Sequence, residues 1–185
     1  MGCILSTGRT KSCKDAVGGI RKIYFVDFGT MGAVAVADDE ITGIAGDFTY
    51  YEYDVKGNAD LTQNVNSSIE NGTTFFEQVL SATFTKLTKE DNKELKMMVY
   101  GRPHVFVEDY KGNVMCVGLE NGADVTEGTA VTGRAMGDLN GYTLSLTAME
   151  TSYAAFVAPE LNVGGFLASL APGTATASAV NRDPE

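Results

Sequence analysis

The chain has 185 residues, 44% of them hydrophobic and 21% charged, a composition typical of a folded globular protein and unlike that of a disordered one. Its net charge of −10 argues against a protein that grips nucleic acid by the phosphates, which requires the opposite balance. No stretch is long and apolar enough to span a bilayer, so the sequence predicts a soluble protein of one domain with no membrane partner.

The cysteines and the first residues add little chemistry. Cys3, Cys13 and Cys116 form no CxxC pair, and their number and spacing favour reduced thiols over a disulfide scaffold or a zinc site. The opening MGCILS matches a myristoylation pattern, but this pattern is short and requires a eukaryotic transferase. We favour a plain flexible start.

Composition divides the chain into three parts. Residues 1–19 are small and polar and predict an extended N-terminal arm, whereas residues 20–158 contain the β-rich patterns of a folded domain. Within that domain, IRKIYFVDFG predicts the first strand, and GAVAVADDEITGI predicts a hairpin with Asp38, Asp39 and Glu40 at its tip. From residue 159 to 185 the sequence turns to Gly, Ala, Ser and Thr, which indicates a tail that is loose or pinned by neighbours.

Two alternating segments predict further strands. In DFTYYEYDV the side chains of Phe48, Tyr50 and Glu52 share one face, and those of Tyr51, Tyr53 and Val55 share the other. TTFFEQVLSATFTKL is long for a strand, and a helix is the competing interpretation, but its Phe, Val and Thr residues favour sheet.

One helix is predicted over residues 88–100. Thr88 can cap its first turn, and Leu95, Met98 and Val99 form an apolar stripe. Met97 and Met98 are interpreted as core-filling residues. Gly101 and Pro103 end the helix.

The only histidine lies in YGRPHVFVEDYKGNVMCVGLENG, which predicts a hairpin across YKG. His104 starts the first strand and has neither a second histidine nor a cysteine pair nearby, so we interpret it as structural. Residues 120–141 are rich in glycine, lack a phosphate-binding motif, and predict a mobile or interface loop. YTLSLTAME then alternates cleanly, with Tyr142 on its inward face and Thr143 on its outward face.

The sequence favours a non-enzymatic protein over an enzyme. The carboxylate pairs Asp38–Asp39, Glu90–Asp91 and Glu108–Asp109 fall at turns or in the first turn of the helix, where acidic side chains are usually solvated or capping. No GxSxG or Cys–His dyad is present, and no cofactor or metal is expected.

Four runs, CKDAVGGIRKIYFVDFG, ENGTTFFEQ, YGRPHVFVEDYKGN and MGDLNGYTLSLTAME, resemble segments of tail tube proteins of tailed bacteriophages. The resemblance covers about residues 13–151 and depends on the joint order of the runs. It implies a mainly β fold, a β-sandwich or barrel-like core with one flanking helix, an N-terminal arm and a C-terminal tail.

The resemblance also implies a function and a location. The protein is expected to be a structural virion component, made in the host cytoplasm, whose stacked and usually hexameric rings form a tube that conducts DNA during ejection. The implied partners are other copies of the chain, other tail proteins and, if the tail is contractile, a sheath, while DNA passes without specific binding. An acidic channel wall would suit that passage, because phosphate contacts would slow it.

If segments 48–55 and 74–87 form the inner barrel, one face of each must be polar and line the channel, which identifies candidate residues. The candidates for lining the channel are Glu52, Asp54, Glu77 and Gln78. The candidates for core or inter-subunit contact are Tyr50, Tyr51, Phe75 and Phe76. Another virion protein with a related β fold (a capsid decoration, neck or tail-terminator protein) remains an alternative, as does a monomeric barrel that binds a small apolar ligand.

Overall fold

A computed structural model of the chain describes residues 8–9, 14, 17–55 and 58–158, together with the backbone of residues 177–180. Twelve strands and one helix form within these residues. The strands are β1 (Ile20–Val26), β2 (Val34–Ala37), β3 (Glu40–Ile44), β4 (Phe48–Asp54), β5 (Ala59–Ser68), β6 (Thr73–Thr85), β7 (His104–Asp109), β8 (Val114–Val117), β9 (Asp124–Val131), β10 (Gly141–Glu150), β11 (Ala155–Val157) and β12 (Ala177–Val180). The helix, α1 (Lys89–Tyr100), lies between β6 and β7.

The strands form two sheets. The larger sheet has eight strands in the order β12-β4-β1-β7-β8-β11-β3-β2, and the smaller has four in the order β5-β6-β10-β9. All pairs are antiparallel except β11 with β3 and β12 with β4. The predicted mainly β fold with one helix is confirmed, but neither sheet closes into a barrel.

One hydrophobic core lies between the two sheets, and we call it the inter-sheet core. It contains side chains from alternate positions of strands in both sheets, as expected for strands with one face directed inward. Its buried members include Ile23, Phe25, Val105, Val107 and Val117 from the larger sheet and Leu80, Ala82, Leu144, Leu146 and Ala148 from the smaller.

A second cluster of buried side chains lies on the opposite face of the larger sheet. Tyr24, Val26, Phe106 and Cys116 belong to it, so β1, β7 and β8 bury side chains on both faces. This explains why 105–107 and 114–117 are continuously apolar, since a strand covered on both sides does not need polar alternation.

Helix α1 follows β6 after a short connection and packs its Leu95 side chain against the inter-sheet core. The predicted cap is confirmed, because the Thr88 hydroxyl accepts a hydrogen bond from the Asp91 amide at 3.1 Å. Met98 contacts the core, but Met97 is 66% exposed, so the interpretation of Met97 as a core-filling residue was wrong.

Local turns also follow the sequence pattern. Asp38 and Asp39 join β2 to β3 with positive φ angles of 53° and 63°, the backbone of a two-residue hairpin turn. The 120–141 segment differs from its prediction as a loop, because residues 124–131 form β9. The predicted arm (1–19) and tail (159–185) lie mostly outside the described residues, except that 177–180 forms β12 beside β4.

Candidate functional surface

The smaller sheet has a face that points away from the inter-sheet core, and we call it the polar face. Strand alternation places on it short polar and acidic side chains from all four strands. Its members are Asp60, Thr62, Asn64, Asn66, Glu77, Val79, Ser81, Thr83, Asp124, Thr126, Glu127, Thr129, Thr143, Ser145 and Thr147, with the exposed apolar side chains of Phe75, Val131 and Met149 at its ends.

Cross-strand register brings hydroxyl groups on this face together in pairs. The hydroxyl oxygens of Thr83 and Thr143 lie 3.3 Å apart on β6 and β10. A register shift in β9 inserts Thr126, whose hydroxyl oxygen lies 3.2 Å from that of Thr147. These paired hydroxyl groups can hydrogen-bond to one another across neighbouring strands of the polar face.

The polar face carries negative charge only. None of the four strands contains Lys, Arg or His, whereas Asp60, Glu77, Asp124 and Glu127 all point outward. Asp60 and Glu127 lie at opposite ends of one cross-strand row, three strand spacings or about 14 Å apart. This exceeds the roughly 5–10 Å between paired catalytic carboxylates, and no metal-binding cluster occurs among the described residues.

Neither edge strand of the smaller sheet has a second strand partner among the described residues, because β5 pairs only with β6 and β9 only with β10; α1 lies near β9, and β1 lies near β5. The ladder alternation identifies the backbone groups left unpaired. Since the Thr83 amide donates to Asn58 on the β5 side, odd-numbered positions of β6 bond toward β5 and even ones toward β10. Even positions of β10 therefore bond to β6, and odd positions bond to Glu127 and Thr129 of β9. The amides of Gly128 and Ala130 then point away from β10, toward the unpaired edge.

A turn at residues 118–123 connects β8 in the larger sheet to the edge strand β9, and three buried polar side chains hold it. The Gln78 Oε1 atom accepts a hydrogen bond from the Gly118 amide at 3.1 Å, and His104 Nδ1 donates to the Gly118 carbonyl at 2.7 Å. Glu150 accepts from the amides of Glu120 and Asn121. This turn therefore fixes where β9 begins.

Burial shapes the electrostatics of the same turn. Desolvation lowers the pKa of His104, whose ring also stacks on Phe28 with centroids 5.0 Å apart. Desolvation raises the pKa of Glu150, although the two backbone amides oppose that shift. Gly118 has φ +69°, and a Cβ there would lie 2.5 Å from the Gly122 carbonyl carbon, so only glycine fits.

The structure separates the four predicted channel residues. Glu77 is partly exposed on the polar face, and its role as a channel residue stays a prediction. Gln78 points the opposite way and is 1% exposed, so its prediction as a channel residue was wrong. Glu52 and Asp54 lie on β4, which belongs to the larger sheet and not to the sheet that contains β6. Glu52 forms an ion pair with Lys22 there.

The predicted aromatic contacts divide between core and surface. Tyr51 packs against the inter-sheet core, while Tyr50 packs on the opposite face of β4, with its ring 5.7 Å from that of Tyr24. Phe76 is partly buried beside Tyr153, at a ring separation of 4.5 Å. Phe75 is 39% exposed beyond the end of β10 and remains available for contact.

Sequence reasoning missed Asp60, Asp124 and Glu127 on the polar face. The alternation of ADLTQNVN would have revealed Asp60, since Asp60, Thr62 and Asn64 occupy every second position. No comparable signal exists for β9, because its glycine and its bulge interrupt the period of two. Comparison with family models, curated proteins and solved structures returned no match.

Proposed function

We propose that the chain is a non-enzymatic structural subunit of a phage tail tube, in which the polar face lines the channel. The proposal is supported by two features of the same four-stranded sheet: its outward face has acidic but no basic side chains, and neither of its edge strands has a second strand partner. A channel for DNA benefits from this charge, because phosphates are repelled and not retained.

Ring closure would use the open edges. Pairing of β5 in one copy with β9 in the next extends the smaller sheet from subunit to subunit until the ring closes and no edge remains. The polar faces then join into one inner surface, with the larger sheets and helices outside. The remaining partners in this proposal are other tail proteins and, in a contractile tail, a sheath; the proposed location is the virion.

The first test is the assembly state of the purified chain, examined by negative-stain electron microscopy and size-exclusion chromatography. Hollow tubes or rings of uniform size are expected. A protein that stays monomeric at high concentration and in varied salt would contradict the proposal and favour a decoration protein. Rings that never stack would favour a neck or terminator protein.

A substitution at the β9 edge tests the mode of closure. Ala130→Pro removes an outward amide and leaves the pairing of β9 with β10 in place, so the monomer should fold while ring formation is lost. Ala130→Ser keeps the amide and is the matched control. Rings formed by Ala130→Pro at the wild-type concentration would refute pairing through β9.

A charge reversal tests the channel. Tubes of a Glu77→Lys/Glu127→Lys variant should retain short DNA at low salt, with retention falling as salt rises, whereas wild-type tubes should not. Glu90→Lys/Glu94→Lys on α1 is the control with equal charge change. Equal retention by both variants would show that the polar face does not meet the DNA.

A further inference from the structure

The sequence contains three Asn-Gly pairs, and the structure places them in different surroundings. They are Asn71–Gly72, Asn121–Gly122 and Asn140–Gly141. In such a pair the glycine amide nitrogen can attack the side-chain carbonyl carbon of the asparagine, because glycine has no Cβ to hinder the approach. The attack requires a backbone that can rotate and an amide nitrogen that is not held in a hydrogen bond. The contacts of each pair therefore decide whether it can react.

The second pair lies in the turn that follows β8 and is restrained at both residues. The Asn121 amide donates to the Glu150 carboxylate at 2.9 Å, and the Asn121 side-chain nitrogen donates to the Met149 carbonyl at 2.8 Å. The Gly122 amide donates to the Gly118 carbonyl at 3.2 Å, and Gly122 is buried. Neither the attacking nitrogen nor the attacked side chain of this pair is free to move.

The third pair is restrained by the smaller sheet. Gly141 is buried and belongs to β10, where it pairs with Thr85 and Val131. The Asn140 side-chain oxygen accepts a hydrogen bond from the Leu87 amide at 3.3 Å. Ring closure at this pair would require Gly141 to leave its position between two strands.

The first pair lies in the turn that joins β5 to β6, where the restraints are weakest. Pairing of β6 with β10 stops at Phe76, so the end of this hairpin is a two-stranded ribbon, which is only marginally stable by itself. Asn71 and Gly72 are both exposed, and a Cβ at Gly72 would meet nothing within 4 Å. The Asn71 amide donates to the Ser68 hydroxyl at 3.3 Å, whereas neither the Gly72 amide nor the Asn71 side chain forms a hydrogen bond among the described residues.

We propose that Asn71 is a site of spontaneous deamidation through a cyclic imide formed with Gly72. The Gly72 nitrogen bonds to the Asn71 Cγ atom, the Cγ–Nδ2 bond breaks, and ammonia leaves with the proton of the Gly72 amide. Water then opens the ring at one of its two carbonyl carbons. Opening at Cγ leaves aspartate, whereas opening at the main-chain carbonyl leaves isoaspartate, in which the backbone runs through Cβ and Cγ.

Either product changes the hairpin turn. A carboxylate replaces a neutral amide next to Glu70, in a hairpin that contains no basic residue. Isoaspartate also adds one atom to the backbone between Ser68 and Thr73, which are paired. Because the length of a hairpin loop helps to set its register, this addition should loosen the turn. The reaction is independent of the assembly proposed above.

The test is to age the full chain at mildly alkaline pH, folded and in guanidinium chloride, and to follow each pair by tandem mass spectrometry. Asn71 and Asn121 are a matched comparison, since both lie in the sequence Glu-Asn-Gly. In denaturant all three pairs should convert at similar rates. In the folded chain Asn71 should convert at least about tenfold faster than the other two, because a hairpin turn opens more easily than backbone bonded to the core. Equal rates in the folded chain, or no conversion there while the denatured chain converts, would overturn the proposal.

Isoaspartate gives a second readout, because direct hydrolysis of the side chain yields aspartate alone. An isoaspartate-specific methyltransferase with labelled S-adenosylmethionine should label the aged wild type. Asn71→Gln should remove this label, since the longer side chain would have to close a larger ring, and Asn121→Gln should keep it. Label that persists in Asn71→Gln, or aspartate at position 71 without isoaspartate, would refute ring closure at this pair.

Discussion

Replacement of Gln78 by leucine tests whether this buried amide connects the two sheets. Gln78 is 1% exposed, accepts from the Gly118 amide and donates to the Ser152 carbonyl, both at 3.1 Å. Leucine has a similar volume but pairs with neither group. Each unsatisfied buried backbone group costs about 1–3 kcal/mol. Allowing for the greater apolarity of leucine, Gln78→Leu should lower the free energy of unfolding by about 2–5 kcal/mol.

The assay is urea unfolding of variant and wild type in the same assembly state, because assembly adds to apparent stability. For a chain of this length the melting temperature should fall by roughly 5–15 °C. Gln63→Leu is the matched control. Gln63 lies directly opposite Gln78 on β5, but it is only half-buried and makes one bond, from the Ala154 amide at 2.8 Å. If Gln78→Leu costs no more than Gln63→Leu, the connection between the sheets is unimportant.

Three further predictions concern other buried or capping groups. Burial raises the pKa of Glu150, so the stability it contributes is fully present below about pH 4.5, where the side chain is protonated, and is lost as pH rises through the folded pKa. Between pH 4.5 and 7 the free energy of unfolding of the wild type should therefore fall more than that of Glu150→Gln. Burial lowers the pKa of His104, so the stability that it contributes above pH 6.5 is lost as pH falls toward the folded pKa. Between pH 7.5 and 5.5 the free energy of unfolding, measured by urea unfolding at each pH, should fall less for His104→Gln than for the wild type. Thr88→Ala should cost about 1 kcal/mol by the same assay and Thr88→Ser much less, because only alanine removes the acceptor of the Asp91 amide; equal losses would exclude the cap.

The elements that the sequence predicted well are those whose pattern is decided locally. The helix cap at Thr88 depends on residues three positions apart, and the hairpin turn at Asp38 and Asp39 depends on two neighbours. The alternation of β10 correctly separated inward Leu144 from outward Thr143, since one face packs on the core and the other does not.

Predictions that required a knowledge of sheet membership were less successful. Glu52 and Glu77 both follow alternating aromatic segments, yet β4 and β6 lie in different sheets because β1 competes for β4. Gln78 occupies an even position of β6, on the same face as core residues Leu80 and Ala82, but only the 118–123 turn explains why a polar side chain is accommodated there. A residue at an odd or even position reveals its face but not its neighbours.

The same distinction explains why the candidate surface became visible only after folding. Asp60 and Glu127 are 67 positions apart in sequence, and register alone places them in one cross-strand row with Ser81 and Ser145 between them. Basic residues are absent from the four strands of that sheet, although the chain contains 14 of them. Net charge could not reveal this separation, because a total of −10 is compatible with any distribution. A channel is proposed on this sheet because its four strands contain acidic but no basic side chains, which only the folded arrangement reveals.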